Sequence, residues 1–144
     1  MHKFLSEGPL TAEQLSCLMS QMNDRSDTGG HSLFIGQVRA DIVNNKSVEA
    51  IEYSAYESMV NDEAERIIAQ IKTEFTDVKI VEILHSTGIV KAGEVSLAVM
   101  VSAGHRHQAI QACSKTVELI KERLPVWKKE LLEDNSHIWR DNRG

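Results

Sequence analysis

Lys121-Glu122-Arg123-Leu124-Pro125-Val126-Trp127-Lys128-Lys129-Glu130 joins two kinds of pattern. Apolar residues at helical spacing run up to Leu124. Pro125 ends that helix, because proline has no N–H to donate and its ring clashes with the preceding turn. The residue before a proline is pushed toward extended geometry, so a strand or extended arm is expected beyond it. Lys121 then projects from the last helical turn and Lys128 from the next element. Two ammonium groups brought together from different elements make a site, which two lysines on one straight helix would not. An ordinary solvated helix end, where lysine complements the dipole, fits the same ten residues.

Upstream of the break, Ala109, Ile110, Cys113, Val117, Ile120 and Leu124 form the stripe of a helix over 105–124. Before it, Val95, Leu97, Val99 and Val101 alternate with Ser96, Ala98, Met100 and Ser102, which predicts a strand buried mainly on one face. Residues 78–85 read as another strand, and 87–94 as a turn-rich connection. Val60, Ala64, Ile67, Ile68, Ile71 and Phe75 mark a helix that begins at Glu57. Residues 48–56 fit a strand, and 41–47, with Asn44-Asn45, a polar turn. His31 to Arg39 reads as a buried strand in which Gly36 marks a bulge or a close backbone approach. The Gly29-Gly30 pair before it is a connection that could also approach a ligand. Near the start, Thr11 and Gln14 form a capping box for a short helix over 11–23, with Leu15, Leu18, Met19 and Met22 on one face. Beyond the break, Trp127 and Trp139 bracket a polar C-terminal segment. The order α-β-β-α-β-β-α-β predicts a single α+β domain over 1–144, with helices on one face of a mixed or antiparallel sheet.

Composition narrows the function classes. Of 144 residues, 42% are hydrophobic and 26% charged, the balance of an ordinary globular domain. No apolar run approaches the roughly 18 residues that cross a membrane, and the first residues lack a signal-peptide core. Cys17 and Cys113 lie apart without CxxC spacing, as buried small hydrophobes of a reducing compartment would. A cytoplasmic protein is expected, with no membrane association. The net charge of −5 argues against non-specific nucleic-acid binding. Residues 105–130 nevertheless carry +3 while the rest carries −8. A basic island of this kind suits a small anionic ligand or an acidic partner tail; surface charge blocks also arise without function. GxGxxG and GxxxxGK[ST] are both absent, so nucleotide binding by those loops has no support.

Gly104-His105-Arg106 stands where a strand gives way to a helix, and free helix N–H groups beside an arginine can hold an anion. An ordinary helix start with an exposed arginine fits equally. His105 and His107 do not face each other on a helix, so no metal site is expected there. Arg39, Arg106, Lys121 and Lys128 together would neutralise a phosphate. A lysine among such cations has its pKa lowered, which leaves a fraction neutral as base or nucleophile. Cys113 lies on an apolar stripe that disfavours a thiolate. Sulfur or acyl chemistry would therefore need its reactive atom from a partner.

Four motifs occur in order: Phe34-Ile35-Gly36-Gln37-Val38-Arg39, Ile51-Glu52-Tyr53-Ser54-Ala55-Tyr56-Glu57-Ser58-Met59, His105-Arg106, and Lys121 with Pro125-Val126-Trp127-Lys128-Lys129-Glu130. Together they resemble the large, catalytic subunit of molybdopterin synthase, over nearly the whole chain and most securely over 29–139. The resemblance implies an α/β hammerhead-like fold and a homodimer within a heterotetramer. Each large subunit would hold one small ubiquitin-like sulfur carrier, whose C-terminal Gly-Gly thiocarboxylate enters the pocket. The implied substrate is cyclic pyranopterin monophosphate, which becomes the dithiolene of molybdopterin by sulfur transfer, with no cofactor or metal. By position, Lys121 and Lys128 would be the catalytic pair. Arg39, His105 and Arg106 would bind the pterin phosphate, with His105-Arg106 contributed across the dimer. Phe34 and Arg140 are further substrate-binding candidates. The loop 40–45 departs from the family's His-Asn pattern, and no ligand role is assigned to it. Ending in Arg143-Gly144, the chain is not expected to be the sulfur donor.

Two other classes fit parts of the pattern. A non-catalytic dimeric module could bind an acidic C-terminal tail or a phosphorylated metabolite, although binding alone does not require two amines at the break. A Schiff-base enzyme using Lys121 would need a carbonyl substrate and no protein partner, and borohydride trapping would reveal it.

Overall fold

Described over residues 3–141, the computed structural model runs β1 (Leu5–Glu7), α1 (Ala12–Ser20), β2 (Gly30–Gln37), β3 (Ile42–Val43), β4 (Lys46–Ala55), α2 (Glu57–Glu74), β5 (Val78–Lys91), β6 (Val95–Ala103), α3 (Arg106–Arg123), β7 (Val126–Leu132) and β8 (His137–Asp141). The terminal Arg143-Gly144 lies outside the described residues. The strands form one sheet in the order β2-β6-β5-β4-β7-β8, with β1 parallel beside β5 and β3 beside β4. All other pairings are antiparallel, which is the α+β arrangement expected. Helices α2 and α3 pack on each other, and α3 on β2 and β6. No helix is long and apolar enough to cross a membrane among the described residues.

The apolar patterning explains most of this. Val60, Ala64, Ile67 and Ile71 of α2 are fully buried. In α3 the buried face is Ala109, Ala112, Cys113, Thr116, Leu119 and Ile120. Ile110, expected on the stripe, is 58% exposed, because the small residues Ala109 and Ala112 turn the face toward themselves and bring α3 close to the sheet. The capping box of α1 is present, with Thr11 Oγ1 accepting from the Gln14 N–H and Gln14 Oε1 from the Thr11 N–H. The helix ends at Ser20 rather than 23, giving way to turns.

Three expectations change. First, β5 does not end at His85. It pairs with β6 through His85 and with β4 from Gly88 to Lys91, so one strand spans both halves of the sheet. Gly88 takes a φ of +75°, which lets the strand bend instead of stopping. Second, β6 is buried on both faces from Ser96 to Ala103, because it lies inside the sheet between β2 and β5. Its alternation is one of residue size and polarity rather than of exposure. Third, β2 is an edge strand whose Leu33, Phe34 and Ile35 are each about 40% exposed, not a buried one. Strands β1, β3 and β8 had no signal of their own in the sequence, being short or polar.

Candidate active site

Pro125 ends the last helix as its chemistry requires. Leu124 adopts an extended ψ of 125°, and β7 begins at Val126. Strand β7 lies between β4 and β8, and its register decides what meets what. Lys128 stands opposite Tyr53 on one side and Arg140 on the other, while Glu130 stands opposite Ile51 and Ile138. Directly opposed residues project to the same face, with Cβ atoms about 5 Å apart. Alternation therefore turns Lys128 and Glu130 inward, where both are under 10% exposed. Trp127 and Lys129 go to the other face. There Trp127 meets Tyr56 edge-on, and the Lys129 ammonium sits 5.1 Å over the Trp139 ring.

The inward face is the floor of a cleft of about 480 Å³. Phe34 to Arg39 with Asp41 line it from β2 and the loop beyond, Ile51 and Tyr53 from β4, Ser96 and Leu97 from β6, Lys121 from α3, Lys128 and Glu130 from β7, and Arg140 from β8. Arg39 donates to Asp41 from Nε (2.8 Å) and Nη2 (3.3 Å). Arg140 donates to Glu130. The two arginines are thus compensated. Among the described residues neither Lys121 nor Lys128 has a carboxylate partner, so two bare ammonium positions remain. The Lys121 pKa is lowered, first by burial and then by the positive charge of Lys128. The direction agrees with the sequence reading, although burial outweighs the neighbouring cation.

Beneath this floor lies His85, 1% exposed. Its Nδ1 is 2.7 Å from the Ser86 carbonyl, which can only accept, so Nδ1 carries the proton. The ring meets Tyr53 edge-on with centroids 5.1 Å apart. Burial pushes its pKa down to about 4, with the charges of Lys121 and Lys128 adding to the effect. Tyr53 in turn bonds Ser96 through its hydroxyl at 3.1 Å.

Five expected residues, Phe34, Arg39, Lys121, Lys128 and Arg140, therefore line one cleft. His105 and Arg106 do not. They begin α3, about 22 Å along the axis from Lys121. The anion already at that helix start is Asp77, whose Oδ2 accepts from the His105 N–H at 2.8 Å and lies 3.2 Å from its Nδ1. Burial raises the Asp77 pKa, but the hydrogen bonds from His105 outweigh it and hold the carboxyl below its usual range. Among the described residues no group of three His, Cys, Asp or Glu is placed to hold a metal. Cys113 is buried on the apolar face and its thiol pKa is pushed up by burial.

Tyr53, Ser96, Glu130, Asp41 and His85 were not singled out from the sequence. Glu130 was within reach, since alternation from Lys128 on an extended segment places it on the same face. Ser96 was not. The register shift at Gly36/Gln37 leaves it without a partner in β2, and that bulge turns it to Tyr53, 43 residues away. The bulge itself was legible at Gly36, where an added Cβ would come within 3.3 Å of Leu97 Cβ.

A family model described as MoaE protein matches residues 5–123. A molybdopterin synthase catalytic subunit of Drosophila willistoni is 38% identical over 116 residues, covering 80% of this chain but 31% of that one. The chain thus spans about a third of the length of the Drosophila relatives it matches. The human molybdopterin synthase catalytic subunit is 34% identical over 134 residues, covering 92% of this chain and 70% of that one. The crystal structure of molybdopterin synthase from Staphylococcus aureus superposes with a TM-score of 0.84 at 28% identity, over 97% of this chain and 98% of that one. With the family pattern spanning most of the chain and a shared fold, the chain belongs to the MoaE protein family.

Proposed function

We propose that this chain is the catalytic subunit of a cytoplasmic molybdopterin synthase, a sulfurtransferase. It would move sulfur from the C-terminal thiocarboxylate of a small ubiquitin-like carrier onto cyclic pyranopterin monophosphate, forming the molybdopterin dithiolene. The observation that carries this reading is the convergence of Lys121 and Lys128, without carboxylate partners, on a cleft flanked by Arg39 and Arg140. A phosphate and a thiocarboxylate are both anions, and a cleft with two uncompensated ammonium positions receives both. Arg39 at the rim, 84% exposed on its side chain, is placed to exchange Asp41 for a phosphate. Lys128, held on the ladder between Tyr53 and Arg140, is fixed for electrostatic stabilisation of developing charge. Lys121, half-buried and with its pKa lowered, is suited to accept and return a proton. Cys113 is buried away from the cleft, which accords with a sulfur supplied by the partner.

The distant His105 and Arg106 join this site most simply through a second copy. Edge strand β2 exposes Leu33, Phe34 and Ile35, and its first residue packs on α3, since a Cβ on Gly30 would lie 2.7 Å from the Arg106 backbone. If two β2 edges pair antiparallel about an axis at Leu33, Gly30 of one copy faces Gly36 of the other. That carries the second copy's Arg106 to the Arg39 end of the cleft. Six residues of strand span roughly 20 Å, close to the length of α3 between Arg106 and Lys121. The reading is tested by mixing the chain with thiocarboxylated carrier and cyclic pyranopterin monophosphate. Dithiolene product dependent on both is expected; carrier binding without product would favour the non-catalytic module.

A further inference from the structure

Tyr53 and Ser96 are buried, polar and uncharged, and both line the cleft. Their oxygens lie 3.1 Å apart. Two hydroxyls carry two O–H donors, and the bond between them uses one. The Tyr53 O–H donates to Ser96, so the Ser96 O–H is left over in the cleft, beside the ladder rung that pairs Tyr53 with Lys128. The pair is held from behind. His85 fixes the Tyr53 ring edge-on, and the bulge at Gly36/Gln37 turns Ser96 toward it. Burial pushes the phenol pKa up, so Tyr53 keeps its proton throughout the neutral range.

Resting on the sulfur-transfer reading, we infer that Tyr53 and Ser96 are a catalytic donor pair that holds the acyl oxygen of the carrier's terminal thiocarboxylate and takes up the charge that develops on it. A carrier that gives up sulfur must end as a carboxylate, and its new oxygen comes from water. The carrier sulfur first bonds to a pterin carbon as a C–O bond at that carbon breaks and the oxygen leaves with the electron pair. The acyl carbon then carries one C=O and one C–S bond. Water adds to that carbon, and the C=O pair moves onto oxygen as an oxyanion. The pair then returns and breaks the C–S bond, with the bonding electrons leaving on sulfur. The products are carrier carboxylate and pterin thiolate; one proton of the water goes to the Lys121 amine and the other to solvent. An uncharged donor in a buried site favours the oxyanion over the neutral carbonyl, which is the differential binding that lowers a barrier. The phosphate, by contrast, is charged throughout and is better served by the arginine at the rim.

The test uses the assembled complex with thiocarboxylated carrier and cyclic pyranopterin monophosphate, in single turnover, for wild type, Tyr53→Phe, Ser96→Ala and the double variant. Phenylalanine keeps the ring against His85, so melting temperature and carrier affinity are expected to hold. Each single variant should lower the rate on the order of ten- to a hundredfold, with pterin affinity within about twofold. The double variant should be no slower than about the worse single one, because the two hydroxyls act as a unit. The carrier–pterin thioester should accumulate in Tyr53→Phe, visible by mass spectrometry. The pH limb set by Lys121 should stay in place. Rates within twofold of an active wild type, or a loss confined to pterin affinity, would overturn the donor pair alone. A wild-type complex without sulfur transfer would overturn the functional reading and the inference with it.

Discussion

Burial acts on three titrating side chains around the cleft floor, and in each case it favours the neutral form. It raises Tyr53 and lowers Lys121 and His85. For His85 this becomes a stability effect with a definite sign. Its ordinary pKa is 6.5 and its folded value about 4. Between those values the unfolded chain takes a proton that the folded chain refuses. The stability is therefore complete above pH 6.5 and is lost as pH falls toward 4, by roughly 3 kcal/mol in all. Urea unfolding of wild type and His85→Gln at pH 7 and pH 4.5 checks this. Wild type should lose about 2 to 3 kcal/mol more than the variant between the two pH values; parallel losses would mean that His85 is not the group refusing the proton.

Asp77 does for α3 what the Gln14 side chain does for α1, accepting from the N–H of the N-cap residue, but from 28 residues away instead of three. Asp77→Ala should cost about 1 kcal/mol of unfolding free energy, the usual size of a lost cap, by the same urea measurement. A cost near zero would mean that water replaces the carboxylate. The contrast between the two caps shows what the sequence could and could not disclose. The capping box of α1 is local and readable in four residues. So are the Pro125 break, the Asn44-Asn45 turn with both φ values positive, and the buried face of α2. The cap of α3, the continuation of β5 through Gly88, and the strand made by His137 to Asp141 are decided by partners far along the chain. The same holds within the site. Lys121 and Lys128 were legible because a helix break lies between them, Arg39 as one of a group of cations, and Phe34 and Arg140 followed from the family resemblance. The Tyr53–Ser96 contact depends on the register of two ladders, which no local pattern encodes.

In the whole molecule, the length of α3 separates its start from the cleft, and in the proposed function a second copy on the β2 edge completes the site. Leu33→Lys should leave the fold intact, since Leu33 is 39% exposed, and should turn a dimer into a monomer by light scattering with loss of turnover. A mixed dimer of Arg106→Ala and Lys121→Ala chains should regain about half the wild-type activity, because one of its two sites is intact. A monomer with full activity would rule out the shared site. Single-turnover sulfur transfer in the assembled complex tests the two-lysine cleft most directly, comparing wild type, Lys121→Ala and Lys121→Arg. Loss of the proton acceptor should slow Lys121→Ala about a hundredfold or more while carrier binding persists. Arginine should not rescue it, because the guanidinium keeps its proton. Near wild-type turnover in Lys121→Ala would contradict a catalytic Lys121 and leave the cleft as a binding site.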